Sequence, residues 1–303
     1  MFDILIVGGG PAGLTAALYG RRAGKAVLVL EKNTFGGQIS WSPKVENYPA
    51  IASVSGLELA DLLTAQATEQ GAQIELDEVT SVTREDDHFT VTTAFGETYE
   101  ARTVIAATGA VPRRLGLEGE EALIGRGVSF CAVCDGEFYR GADVAVVGGG
   151  NSALQEALYL SDLCRRVYLI HRRDAFRADR ALVDRASARE NIQMIRPASV
   201  TALHGNDVLE GITVREQDTE RTYSVQGLFL AIGHLPQNGL FSELLPLDEA
   251  GYAAIGESCT TPTPGLFVAG DCRAKSVRQL TTAASDGAVA ALAACHYLDM
   301  QEE

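Results

Sequence analysis

Two cysteines separated by two residues, Cys131 and Cys134, are the part of this sequence best suited to chemistry. They stand in the run CAVCDG, directly after a short apolar stretch at 127–130. A C-x-x-C that opens a turn or helix brings its sulfurs within disulfide reach and near positive amide dipoles, which favours the thiolate and so exchange chemistry. Asp135 follows at once. A carboxylate there opposes thiolate formation by like charge, so its use is as proton donor or acceptor during exchange. Zinc would need two further ligands. There is no second C-x-x-C and no H-x-x-x-H, and Cys164, Cys259, Cys272 and Cys295 stand alone. They read as small buried apolar residues, and no metal site is expected.

A redox dithiol needs an electron source, and the chain repeats a unit able to hold one. Residues 3–32 and 143–172 align without a gap at an offset of 140. Each carries an apolar strand, a glycine-rich turn, a helix with apolar spacing and a second apolar strand, which is a βαβ unit used twice. The expected class is therefore α/β, with two Rossmann-like three-layer nucleotide-binding domains.

In the first unit Gly8, Gly10 and Gly13 form G-x-G-x-x-G between strand and helix. The first glycine permits the tight turn, the second lets backbone approach a pyrophosphate, and the third lets helix and strand pack closely. Glu31, 18 residues after Gly13, ends the next strand, where a carboxylate can accept both hydroxyls of an adenosine ribose. The second unit reads Gly148, Gly150, Ala153, and the position matching Glu31 is His171, followed by Arg172, Arg173 and, four residues later, Arg177. Cations where the 2′ substituent would sit suit a 2′-phosphate, hence NADPH over NADH. The first site is FAD or NAD by its residues alone. Of the two, only a flavin relays hydride chemistry onward to a disulfide.

Strand-like runs lie at 73–76, 88–93, 103–107, 211–215 and 227–232, and 279–297 is one alanine-rich helical pattern. The turn-rich segments 109–118 and 232–239 read as crossings between domains. The expected layout is a flavin domain at 1–112 and 241–303, with the nicotinamide domain and its cysteine pair inserted at 113–240.

Composition narrows the partners. The 303 residues carry 25 Lys and Arg against 40 Asp and Glu, a net charge of −15, which disfavours nucleic acid. No apolar run reaches 18 residues and no secretory leader is read, so no membrane association is expected and a cytoplasmic, reducing location is the default.

Along nearly its whole length the chain resembles the low-molecular-weight, bacterial-type thioredoxin reductases. The resemblance is carried by GGGPAG at 8–13, GGQI at 36–39, ENYP at 46–49, ATG at 107–109, GVSFCAVCDG at 127–136, GGGNSA at 148–153, HRRDAFRA at 171–178, AIGHLP at 231–236, GLFVAGD at 265–271 and RQLTTAASDGA at 278–288. It implies FAD held by the first glycine motif with Pro11 and Ala12, by Glu31, Gly37, Gln38, Asn47, Thr108, Gly109, Gly270 and Asp271, and by Arg278 and Gln279. It implies NADPH held by the second motif with Asn151 and Ser152, and by His171, Arg172, Arg173 and Arg177. Cys134 would take electrons from the flavin, Cys131 would exchange with the disulfide of thioredoxin or a similar small dithiol protein, and Asp135 would be the acid/base. A homodimer, and a smaller domain that rotates during turnover, are also implied. Gln155, Cys272 and Gln237 depart from the usual residues without removing a needed group. Two rival readings are a flavin disulfide reductase serving a peroxidase or another dithiol carrier, and a flavin-bound redox sensor. The first of these commonly has an added N-terminal thioredoxin-like module, and the second has no need of an intact NADPH motif.

Overall fold

The computed structural model describes residues 1–301. The chain divides into two compact units, one built from residues 1–111 and 235–303 and the other from 112–234.

In the first unit, strands β1 (Phe2–Val7), β2 (Val27–Glu31), β3 (Gln73–Leu76) and β6 (Thr98–Ala106) lie in the order β3-β2-β1-β6, all parallel. The ribbon of β4 (Val79–Arg84) and β5 (Phe89–Thr93) joins the first part of β6 antiparallel, and β17 (Leu266–Val268) joins its last part parallel. The run ILIV at 4–7 is apolar throughout because both faces of the sheet are covered. Ile4 and Ile6 enter a core shared with helices α1 (Pro11–Arg22), α2 (Gly56–Glu69) and α6 (Leu280–Gln301). Leu5 and Val7 enter another with Val82, Phe89, Val91 and Phe241. Helix α6 lies so close to α1 that a Cβ at Gly287 would come within 2.1 Å of Ala12 O.

The second unit has a five-stranded parallel sheet, β11-β10-β9-β15-β8, from β8 (Val128–Ser129), β9 (Asp143–Val147), β10 (Arg166–Ile170), β11 (Ile192–Ile195) and β15 (Gly227–Leu230). Helices α3 (Ala132–Asp135), α4 (Asn151–Ser161) and α5 (Arg180–Ser187) contribute to the core on one face, with Val144 and Val146. On the other face Ala145 and Val147 meet an antiparallel sheet of β12 (Ala198–His204), β13 (Gly211–Glu216) and β14 (Thr219–Tyr223). Each unit is thus α/β in three layers: helices, a parallel sheet, and antiparallel strands behind it.

Two short strands, β7 (Ala110–Pro112) and β16 (His234–Pro236), mark the crossings. The second crossing falls at 234/235, ahead of the boundary after 240 expected from the turn-rich run. The reason is local bonding within the first unit. Gln237 N donates to Gly109 O at 3.0 Å, Asn238 Nδ2 donates to Gly251 O at 2.9 Å and Cys272 O at 2.8 Å, and Phe241 is wholly buried in that unit's core.

Candidate nucleotide and dithiol sites

The glycines of the first loop separate into two kinds. A Cβ on Gly8, whose φ is +112°, would meet Ala107 O at 2.3 Å, and one on Gly13 would meet Gly8 O at 1.9 Å. Packing of the protein itself demands glycine there. At Gly10 the φ of −78° is ordinary and a Cβ would meet nothing within 4 Å, so the bare backbone at the entry to α1 faces open space. The missing side chain therefore fits a group that is not protein, an anion at the N-terminus of a 12-residue helix. Pro11 occupies the first turn, where its lack of an N–H leaves nothing unsatisfied.

Other expected residues gather on the same unit. Glu31 Oε2 accepts from Gly9 N at 2.7 Å, and Gly37 lies over Gly10, a Cβ there coming within 3.4 Å of Gly10 Cα. Gln38 donates to Ala110 O, and Asn47 Nδ2 to Gln279 Oε1 at 3.4 Å. Thr108 Oγ1 and Asp271 Oδ1 are buried and make no hydrogen bond of ordinary length within the chain, Lys275 Nζ standing 3.7 Å from Asp271 Oδ1. Such orphaned atoms carry a penalty unless another group satisfies them, which fits a bound polar ligand. Burial pushes the Asp271 carboxyl up, against the pull of Lys275 and Arg278.

What holds Gly270 and Asp271 in place is a cluster that residue spacing does not reveal. Asp286 on α6 accepts from Gly270 N at 3.0 Å, from Arg273 Nε at 3.1 Å and Nη2 at 2.8 Å, and from Lys275 Nζ at 3.0 Å. Arg273 is 2% exposed and also donates to Ile255 O and Gly256 O. Burial works to raise the Asp286 carboxyl, but these charged donors outweigh it and hold it low. Arg278, whose guanidinium lies 4.2 Å from the Tyr252 ring centroid, braces the same loop through Asp271 O and Arg273 O.

The loop of the second unit repeats the first. A Cβ on Gly148 would meet Ala231 O at 2.4 Å and Ala153 Cβ at 2.6 Å, whereas Gly150 again faces open space. Where Gly9 touches Glu31, Gly149 touches His171, whose ring atoms would lie within 2.5 Å of a Cβ there. His171 is 5% exposed, and its Nε2 has no partner. Burial pushes its pKa down, helped by the charges of Arg177, Arg172 and Arg173 and opposed by a backbone hydrogen bond at Ala175. His171 is therefore a neutral packing group at pH 7, and Arg172, Arg173 and Arg177 on the segment that follows it are exposed cations. The backbone of Arg177 donates to Gly149 O at 2.7 Å. Ser152 is exposed on the first turn of α4, and Asn151 is occupied with Asp179, through bonds of 3.0 and 2.8 Å.

The same unit carries the cysteines. Cys131 and Cys134 are joined by a disulfide, with Cα atoms 5.3 Å apart. Cys131 caps the short helix α3, its Sγ accepting from Cys134 N at 3.2 Å, so an amide dipole points at that sulfur. Cys134 is exposed and Cys131 half-buried. Among the described residues no cluster of His, Cys, Asp or Glu able to hold a metal gathers here or elsewhere. Ser129, which spacing does not single out, ties the group together: its Oγ accepts from Cys131 N at 3.1 Å and donates to Asp135 Oδ2 at 2.6 Å. Burial raises the Asp135 carboxyl and the Ser129 hydroxyl opposes that rise. The result is a disulfide with a carboxyl, its pKa raised, tied through Ser129 to the Cys131 backbone. The remaining cysteines, 164, 259, 272 and 295, are buried free thiols.

Comparison with known proteins agrees with this geometry. Residues 2–287 match the family model for pyridine nucleotide-disulphide oxidoreductase, and the chain belongs to that family. A thioredoxin reductase of Treponema pallidum is 42% identical over 301 residues, covering 98% of this chain and 97% of that protein. A bifunctional thioredoxin reductase/thioredoxin of Mycobacterium leprae is 43% identical over 98% of this chain, which spans 66% of that longer protein. The crystal structure of thioredoxin reductase from Streptococcus pyogenes superposes with a TM-score of 0.93 at 39% identity, each chain 99% covered. Family membership implies a flavin and a pyridine nucleotide. No helix among the described residues is long and apolar enough to cross a membrane.

Proposed function

We propose that this protein is a thioredoxin-disulfide reductase that uses NADPH and FAD. The observation that carries the reading is the Cys131–Cys134 disulfide, bonded through Ser129 to a half-buried Asp135, in the unit whose own glycine loop is edged by three exposed arginines. In this reading the first unit holds FAD with Gly10, Glu31, Gln38, Asn47, Thr108, Asp271 and Gln279. The second holds NADPH with Gly150, Ser152, Arg172, Arg173 and Arg177. When bound, the pyridine nucleotide supplies a hydride and the flavin carries its two electrons to the disulfide.

The chain's own chemistry follows. Two electrons break the Cys131–Cys134 bond, and the Cys134 amide stabilises negative charge on the Cys131 sulfur. That thiolate attacks one sulfur of the thioredoxin disulfide; the partner S–S bond breaks and its other sulfur leaves as a thiolate. Asp135, kept protonated to higher pH than an ordinary aspartate, gives the leaving sulfur its proton. Cys134 then attacks Cys131 Sγ, releases the second partner thiolate and restores the disulfide. The dithiol and the second glycine loop belong to one unit, and the first glycine loop belongs to the other. A homodimer in a cytoplasmic, reducing compartment completes the reading, which suits the four unpaired buried thiols.

The test is Cys134→Ser in the purified flavoprotein. Bleaching of the flavin by NADPH is expected to persist while turnover with purified thioredoxin is lost. Normal thioredoxin reduction by this variant would refute the scheme.

A further inference from the structure

Arg196 directly follows β11, the parallel neighbour of β10. Ile170 pairs with Ile195 across that ladder, so His171 and Arg196 emerge side by side at the carboxyl edge of the sheet. His171 N donates to Ile195 O at 3.0 Å, and Ala198 N donates back to His171 O at 2.9 Å. In an open parallel sheet this edge is where nucleotides bind. The segment carrying Arg172, Arg173 and Arg177 leaves from the same edge.

Arg196 touches that segment twice. Its Nη1 donates to Asp174 O, and its guanidinium carbon lies 4.9 Å from the centroid of the Phe176 ring. Phe176 in turn stacks on His171, with centroids 5.3 Å apart and planes at 20°. His171 rests on the bare backbone of Gly149. A continuous series of planar contacts therefore runs from the glycine loop through His171 and Phe176 to Arg196. Further on, the segment is pinned by Arg177 N to Gly149 O and by the Asn151–Asp179 pair. Three exposed arginines within six residues repel one another and favour a splayed segment unless something fixes its backbone. Arg196 fixes it at residues 174 and 176, between two of those arginines and the third.

We infer that Arg196 is a positioning residue for nucleotide discrimination: through Asp174 O and the Phe176 ring it holds the segment that presents Arg172, Arg173 and Arg177 to a 2′-phosphate. This rests on the NADPH reading above. Lysine is no substitute, because it offers neither the flat stacking surface nor the forked donors.

The experiment measures equilibrium binding of adenosine 2′,5′-bisphosphate and adenosine 5′-monophosphate to the purified full-length flavoprotein by calorimetry. A hydrogen bond and an exposed cation–π contact together correspond to about tenfold in affinity. R196M and R196K are each expected to weaken the bisphosphate about tenfold and the monophosphate less than about twofold, with a melting temperature lowered by no more than about 4 °C. F176L, which removes the ring beneath the guanidinium, is expected to act in the same direction and decides the matter if R196M does not fold. R172Q is run in parallel. If R172Q leaves the preference for the bisphosphate intact, the NADPH reading fails and this inference with it. If R172Q removes the preference while R196M has no effect, or weakens both ligands alike, only the role of Arg196 is overturned. Full affinity in R196K overturns it as well, since charge alone would then suffice.

Discussion

Glu156 is the most informative residue to perturb outside the reacting groups. It sits on α4, half-buried, with Oε2 shut off from solvent and from any donor. Burial alone raises its pKa from 4.5 to about 7. At about 1.4 kcal/mol per pH unit, that corresponds to about 3 kcal/mol against the charged form, as an order of magnitude. The unfolded chain loses this proton near pH 4.5, whereas the folded chain keeps it to about 7. Folding therefore binds a proton in that window, and stability falls as pH rises through it, levelling off above pH 7. Glu156→Gln keeps the shape and removes the ionisation. Urea unfolding of both proteins is expected to show less than about 1 kcal/mol difference at pH 5 and a gain for the variant of about 3 kcal/mol at pH 8. Equal effects at both pH values, or a loss at pH 8, would show that the carboxylate has a charged partner and that the argument from burial is wrong.

Asp135→Asn is expected to lower thioredoxin turnover about a hundredfold, in the range for a positioned acid, and to abolish the alkaline limb of the pH–rate profile. Ser129→Ala, which removes a donor that favours the charged form, is expected to move that limb to higher pH; a limb that stays put would exclude Asp135 as the proton source. Asp286→Asn leaves the buried Arg273 with only the solvent-exposed Glu257 as counter-charge, 3.8 Å away, and a loss of about 3 kcal/mol is expected, read as early flavin release on heating. Replacing Arg172 and Arg173 together with glutamine should raise KM for NADPH far more than for NADH; equal losses would show that these arginines do not read the 2′-phosphate.

Much of the chemistry was legible because it is written in local spacing. The offset of 140 residues located both glycine loops, and the matched positions 31 and 171 separated a ribose carboxylate from a basic edge. Register could not say which basic residues carry charge outward. His171 matches Glu31 by position, yet it packs on Gly149 and is held neutral, leaving the arginines to face solvent. Ser129, Asn238 and the Arg273–Lys275–Asp286 cluster were hidden for a different reason. Their partners are set by tertiary contacts, such as the 34 residues separating Asn238 from Cys272, and no periodicity encodes them. The antiparallel layer β12–β13–β14 was only partly visible, since β14 is almost wholly exposed and lacks an apolar alternation.

The interruption of the first unit by the second has a consequence for synthesis on the ribosome. Both cores of the second unit lie entirely within one continuous stretch of chain. The first unit lacks β17, α6 and Asp286 until residues 266–301 have been made. From residue 234 to 301 there are 67 residues, about 3–13 s of elongation at about 5–20 residues per second. Throughout that interval the nascent chain can close the core around its cysteine pair while the unit begun first waits with an incomplete sheet. The half translated first is thus the last to be finished, and its long-range pairings set the pace at which the whole protein matures.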